Sequence, residues 1–391
     1  MVNLSKNPTR NVESRHPYIL LRGLDLPTYV LVQYISKVSP IFAGLILSVT
    51  GVIFILLARG LGVLDTKPGI LIGYLQNLSW SFSMLVLFPL ITVSIAHYYN
   101  LIPRLIDKLF LDHETEISKD FRERVTKHFN NPYYWLLVFS IILSLQYVYF
   151  DDLTSGNAWI WRQDGKCPER GVVLDCLNPL GWTAAFVQLV LAFIFSTFLF
   201  RAISLAACLT SLFADKEYAA NIVPLHPDGV SGLGHVRQII VSANLVLFLL
   251  GMYVSLYLFD KIWIQHVMGQ QLTVVFLFTC ILLLLGPVLL LYSMNAVRGR
   301  MVKAKQQFLH PLGERIRAET AKLGNLRMAP RKEDVERLSE LRKNYNDLSR
   351  EIAELPLDLK TARDFFQGVI LAFAPFIVTL ASQLLNWIMS R

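Results

Sequence analysis

The sequence predicts an all-α, polytopic membrane protein with seven transmembrane helices and a cytoplasmic helical hairpin, and three observations carry that prediction. Hydrophobic residues make up 54% of the 391-residue chain and charged residues only 17%, a balance foreign to soluble domains. Seven apolar segments approach or exceed the roughly 20 residues that a helix needs to cross a bilayer. Lysine and arginine then fall mostly into alternate connections between those segments.

In chain order the segments are 41–58, 70–97, 133–150, 182–200, 239–259, 272–292 and 365–389. Residues 1–40 carry Lys6, Arg10, Arg15 and Arg22 but no apolar core followed by a small-residue cleavage site. They read as a cytoplasmic N-terminal segment rather than a signal peptide. Six spans and their connections form a transmembrane domain over 41–293, which includes cytoplasmic loops 101–132 and 214–238. A charge-rich stretch follows at 294–364, and 365–391 supplies the seventh helix. The second span is long, and Pro89 is expected to kink it, because proline removes a helix hydrogen bond.

Orientation follows from the basic residues. With the N-terminus inside, the cytoplasmic segments 1–40, 101–132, 201–238 and 295–364 hold 5, 6, 3 and 16 of them, or 30 of the 37. Cytoplasmic connections carry such an excess, so the expected topology in an inner (plasma) membrane is N-terminus inside and, with seven spans, C-terminus outside. Of the 29 acidic residues, 22 lie on the same face, which places the whole net charge of +8 there.

The outer loop 151–180 contains Cys167 and Cys176. On the oxidising side of a membrane these are expected to form a disulfide, the alternative being two free thiols. Trp135, Trp159, Trp161 and Trp182 fit an interfacial aromatic belt. Cys208 and Cys280 sit in apolar runs as small core residues. No cysteine or histidine spacing matches a zinc site, and the sequence calls for no cofactor.

Two cytoplasmic stretches have helical patterns. Ile117, Phe121, Val125 and Phe129 recur every four residues among mixed charges, which predicts a helix lying on the membrane surface or, better matched to the mixed charge, on a protein neighbour. Within 294–364, Leu338, Leu341, Tyr345, Leu348, Ile352 and Leu355 alternate spacings of three and four as a coiled-coil seam does. An earlier run carries Met301, Phe308, Leu312, Ile316 and Leu323. Both ends must return to one membrane face, so the runs predict an antiparallel hairpin turning near 328–332. His310 with Pro311, and Leu355 with Pro356, are expected to break its arms. The seam can be covered within one chain or by a second copy.

The most distinctive short motif lies in loop 214–238. His226, Pro227, Asp228 and Gly229 are followed by Val230, Ser231, Gly232, Leu233, Gly234 and His235. Glycines there permit consecutive amides to face an anion, and histidine and aspartate can ligate a metal or move protons. The candidate ligand-binding set is therefore His226, Asp228, Gly229, Gly232, Gly234 and His235. A tight turn explains the same residues, since Pro-Asp-Gly is turn chemistry, and the run lacks the Lys-Ser/Thr ending of a phosphate loop. The motif resembles a loop of a broad group of poorly characterised bacterial multi-pass membrane proteins, whose pattern is His-Pro-Asp, two variable residues, then Gly-Gly-Leu-Gly. Ser231 stands here in place of the first glycine of the last four. The resemblance implies a bacterial inner-membrane protein, carries no activity with it, and by analogy admits a membrane effector of antiviral (anti-phage) defence.

The seven apolar cores contain no Asp, Glu, Lys or Arg, which argues against an ion-coupled transporter and an intramembrane protease. Arg201, which follows the fourth span, is expected at the cytoplasmic interface. Gln76, Ser79 and Ser83 in the second span, with His97 at its inner end, are the candidate pore-lining residues. Ser and Asn also serve as interhelical hydrogen-bonding groups. Together these features predict a homo-oligomeric inner-membrane ion channel or pore-forming effector, gated by its cytoplasmic helices, with no catalytic residues. Its expected partners are the lipid bilayer, further copies of itself, and a cytoplasmic nucleotide, nucleic-acid or protein signal. The alternatives are a membrane-embedded enzyme or ligand sensor with its site at the His226 to His235 loop, and a scaffold that recruits a soluble partner.

Overall fold

Ser-Pro and Asn-Pro pairs mark three helix starts. Proline is favoured in the first turn, where its missing N–H costs nothing, and the preceding Ser or Asn oxygen can accept a free amide. Ser39 Oγ accepts the Phe42 N–H at 3.2 Å ahead of Pro40. Asn131 Oδ1 accepts the Tyr133 N–H at 3.0 Å, and Asn178 Oδ1 the Gly181 N–H at 2.9 Å. The computed structural model describes residues 26–65, 73–110, 116–154, 159–161, 177–214, 222, 224–226, 228, 230–260, 270–324 and 331–354. Their long elements are all helices: α1 (Leu26–Lys37), α2 (Pro40–Gly60), α3 (Leu78–Phe82), α4 (Phe88–Leu109), α5 (Glu116–Phe129), α6 (Pro132–Thr154), α7 (Pro179–Ala214), α8 (Gly234–Phe259), α9 (Gln270–Gly324) and α10 (Lys332–Glu351). Among the described residues there is no strand element.

Four helical stretches among the described residues are long and apolar enough to cross a membrane: Pro40–Gly60, Ser79–Leu109, Pro179–Ala214 and Gly234–Phe259. Helix α6 is a further 23-residue element, and α9 runs through the sixth predicted span. Residues 365–391, and with them the seventh predicted span, lie outside the described residues, as do Cys167 and Cys176.

The second span departs from the smooth, kinked helix that its sequence predicts. A turn of 3-10 helix, Tyr74–Gln76, precedes α3, and a π turn, Ser83–Leu87, joins α3 to α4. At the π turn Pro89 has no N–H to give the carbonyl of Leu85 four residues earlier. Ser48 Oγ on α2 donates to that carbonyl instead, at 3.0 Å. A Cβ on Gly51 would meet the Leu85 Cα at 3.0 Å, so α2 approaches the π turn as closely as it does only because residue 51 is glycine. Downstream, α4 continues past His97 to Leu109 and buries Tyr98, Tyr99, Ile102, Leu105 and Ile106.

The packing has two ends. At one, Phe54, Tyr74, Trp80, Ile160, Trp161, Leu177 and Leu180 form an aromatic-rich cluster. Trp161 is buried there, with its ring 5.1 Å from that of Trp80, so it belongs to a core rather than to the interfacial belt expected for it. Trp182 is half exposed, as a belt residue would be. At the other end, Leu105, Phe121, Val125, Phe129, Leu209, Phe213, Leu233, Val236 and Met301 share a larger core. The stripe of α5 is thus spent on protein packing, against α7.

The charge-rich stretch forms the expected antiparallel pair. Lys305 Nζ on α9 donates to Glu354 Oε1 just beyond α10 at 2.8 Å, and a Cβ on Gly313 would lie 3.9 Å from Tyr345 Cε2. Residue numbers therefore fall along α10 as they rise along α9. The expected break at Pro311 does not occur, because α9 is helical from Gln270 to Gly324. Gln307, whose carbonyl loses its partner to Pro311, is exposed, where solvent can satisfy a helix carbonyl and the helix can bear the loss. Leu338, Leu341, Tyr345 and Leu348 are half-buried and no residue of α10 is fully buried. The seam is a two-helix contact closed only at its base, where Met301, Leu309 and Ile352 are buried.

Candidate functional site

The His226 to His235 loop folds around one carboxylate. Asp228 Oδ1 accepts the N–H groups of Val230 at 2.9 Å and Gly232 at 3.0 Å, and Oδ2 accepts that of Gly234 at 3.0 Å. Gly234 is the first residue of α8, so Asp228 supplies the negative charge that a helix N-terminus favours. Ser231 and Gly232 turn the chain through positive φ values of 58° and 85°. A Cβ on Gly234 would lie 3.1 Å from Asp228 Oδ2, which explains glycine at that position. His226 Nδ1 lies 3.0 Å from Asp228 Oδ1 and 3.2 Å from the Asp228 amide nitrogen.

The electrostatics follow from this geometry. Partial burial opposes ionisation of Asp228, but the amides of Gly232 and Val230, the His226 ring and the amide of Gly234 outweigh it. They hold the carboxyl below its ordinary value of 3.8. The amides of Gly232 and Gly234, two of the candidate glycines, and that of Val230 are therefore occupied by the chain's own carboxylate. Gly229 lies outside the described residues. Among the described residues no three His, Cys, Asp or Glu side chains gather as metal ligands.

Ser231 adopts the left-handed backbone at a cost of about 1–2 kcal/mol, and its buried Oγ has no hydrogen-bond partner among the described residues. Ser231→Gly is expected to raise stability by about 1 kcal/mol, read as a higher melting temperature in detergent; a lower one would show that the hydroxyl is needed.

The pore-lining candidates do not share one environment. Gln76 is exposed and lies in the 3-10 turn, its Oε1 accepting the Gly73 N–H at 2.9 Å. Ser79 and Ser83 are buried inside the protomer, and His97 is exposed on α4. Ser79 Oγ lies 2.8 Å from Asn77 Oδ1 and 2.7 Å from Asp260 Oδ2. It ties α3 to the carboxylate that follows α8.

Two ionisable groups are buried in protein, Arg201 and Asp260, the second of which the sequence does not single out. Asp260 is fully buried and Arg201 is 2% exposed. Arg201 is enclosed by protein: its guanidinium carbon lies 5.7 Å from the ring centre of Tyr99 on α4, 5.6 Å from Phe129 on α5 and 5.9 Å from Trp135 on α6. The signal was present in the apolar run after Arg201, which continues α7 for more than three turns and carries the guanidinium into the core. Comparison with family models, with curated proteins and with solved structures gives no match. The functional reading therefore rests on the geometry of this chain.

Proposed function

We propose that the chain is a homo-oligomeric channel or pore-forming effector of a bacterial inner membrane, with seven spans and an N-terminus in the cytoplasm, gated through its cytoplasmic helices. The observation that carries this reading is α9. It runs as one 55-residue helix from the sixth predicted span into the charged arm of the hairpin, about 80 Å at 1.5 Å per residue. A displacement of the hairpin by a nucleotide, nucleic acid or protein signal has a rigid path into the bilayer. Arg300 Nε also donates to the Phe213 carbonyl at 2.6 Å, which joins the base of the hairpin to the end of α7. With Ser79 and Ser83 buried within one protomer, a conduction path in the proposed channel would run between protomers or along another face, which supports the homo-oligomeric form of the reading. The occupied amides of the Asp228 loop speak against an enzyme or sensor site there.

Planar-bilayer recording of the purified protein tests the proposal. Conductance is expected, and inserting Gly-Gly-Ser between Gly299 and Arg300 should cut its response to the hairpin signal at least tenfold while assembly persists. Silence with every cytoplasmic ligand class and no leak on expression would sink the channel reading. A soluble partner lost on deleting 295–364, with no electrical phenotype, would favour a scaffold.

A further inference from the structure

The end of α8 meets the broken start of the second span. Ser79 on α3 touches Asp260, which follows α8, whereas Tyr98 on α4 and Asn244 on α8 line one small cavity further along. Residue numbers therefore fall along α8 as they rise through α3 and α4. That antiparallel course brings Ser83, four residues after Ser79, to the depth of Ser255, five before Asp260. Asp260, Ser83 and Ser255 are 0% exposed, and Asn77 and Ser79 are 5% exposed, so five oxygen-bearing side chains are buried between these elements. Their hydrogens do not suffice for them. Ser79 Oγ lies 2.8 Å from Asn77 Oδ1 and 2.7 Å from Asp260 Oδ2, but a hydroxyl has one hydrogen and can donate to only one of two acceptors. Ser83 Oγ and Ser255 Oγ have no hydrogen-bond partner among the described residues, although buried polar atoms are ordinarily satisfied. The backbone is irregular at this level, with a 3-10 turn before α3 and a π turn after it.

We propose that this cluster binds a sodium ion, held by the Asp260 carboxylate, the Ser79 hydroxyl and the Asn77 amide oxygen, with Ser83 and Ser255 supplying further hydroxyls toward α4. The ligand chemistry selects the ion. Every group is an oxygen, which suits a hard cation and offers nothing to a metal that prefers nitrogen or sulfur. One carboxylate among neutral oxygens balances a single positive charge, whereas calcium sites gain their affinity from additional carboxylates. A cation also resolves the hydrogen count, because Ser79 Oγ then offers it a lone pair and needs to donate only once. Discontinuous helices hold coupling ions in membrane proteins for the same reason, since an interrupted ladder turns oxygens toward the ion. The site lies inside one protomer, and its occupancy does not depend on the chain conducting.

The test is binding of radioactive sodium to the full-length protein in detergent, paired with its melting temperature in sodium chloride and in choline chloride at equal ionic strength. Saturable binding is expected, and with it a higher melting temperature in sodium, because an ion that binds only the folded state stabilises it. Asp260→Asn keeps the size of the side chain without its charge and should abolish both effects. Ser83→Ala and Ser255→Ala should each weaken sodium binding at least fivefold, and they decide the matter if Asp260→Asn fails to fold. Sodium binding that is unchanged in a folded Asp260→Asn, or in both serine variants, overturns the proposal. So does folded wild-type protein with no saturable binding and the same melting temperature in both salts, which is the result for a cluster completed by a proton on Asp260 or by a turned Asn77 amide.

Discussion

Asp228→Ala is expected to lower the stability of the protein by about 3 kcal/mol, because one side chain satisfies three backbone amides at a helix start. Hydrogen bonds to a charged acceptor contribute about 1.5–3 kcal/mol each and do not add in full when they share one group. Thermal or denaturant unfolding in detergent measures the loss, and hydrogen exchange at Val230, Gly232 and Gly234 locates it. Asp228→Asn should fall between, since its single oxygen can still accept two amides while its NH₂ faces the N–H of Gly234. The charge adds a pH dependence. The folded carboxyl titrates below its ordinary value of 3.8, so its contribution is fully present above the unfolded value. It is lost as pH falls below about 4 and through the folded value. In Asp228→Asn that acid-sensitive part should vanish. A difference in stability between wild type and Asp228→Asn that stays constant on acidification, down to full protonation of the carboxyl, would contradict the assignment.

This loop also shows where the sequence is legible. Pro-Asp-Gly and the following glycines announce a tight turn, and the structure builds one. What periodicity and motif matching leave open is whether an anion-binding set of amides is offered outward or filled from within, because that depends on which way one carboxylate points. The helices are legible for a different reason. Ser-Pro and Asn-Pro pairs stand at three helix starts, and apolar length does the rest. Helix ends are less so. Helices α4 and α7 run on past the bilayer-sized segments because their next turns, Leu101 to Leu109 and Ala202 to Phe213, bury apolar faces against protein, as lipid-facing turns would bury them against chains of hydrocarbon. The same ambiguity leaves open what surrounds Arg201. A single basic residue at the edge of an apolar run reads as an interface marker, and only the aromatic rings brought to it by three other helices make it an interior one.

Arg201→Ala is expected to cost about 3–5 kcal/mol, the range for removing one partner from a buried charged environment. The rings of Tyr99, Phe129 and Trp135 are drawn from three helices and meet on this one guanidinium. Each desolvated cation–π contact contributes about 1–2 kcal/mol. Truncation also leaves a void among α4, α5, α6 and α7. Arg201→Lys keeps the charge but replaces a plane with a compact ammonium, which cannot lie against three faces at once, and should recover no more than half. A double-mutant cycle between Arg201→Met and Trp135→Leu isolates one ring, with an expected coupling of about 1 kcal/mol. A coupling near zero, or an Arg201→Ala loss under about 0.5 kcal/mol, would remove the cage from the account of stability. The consequence reaches beyond stability, because Phe129 is the last residue of α5 and belongs to the stripe by which that helix is buried. If the guanidinium holds α5 in place, Arg201→Lys should raise hydrogen exchange in α5 more than in α2, which contributes no ring to the cage. Equal loosening of both helices would mean that Arg201 supports the bundle as a whole rather than this contact.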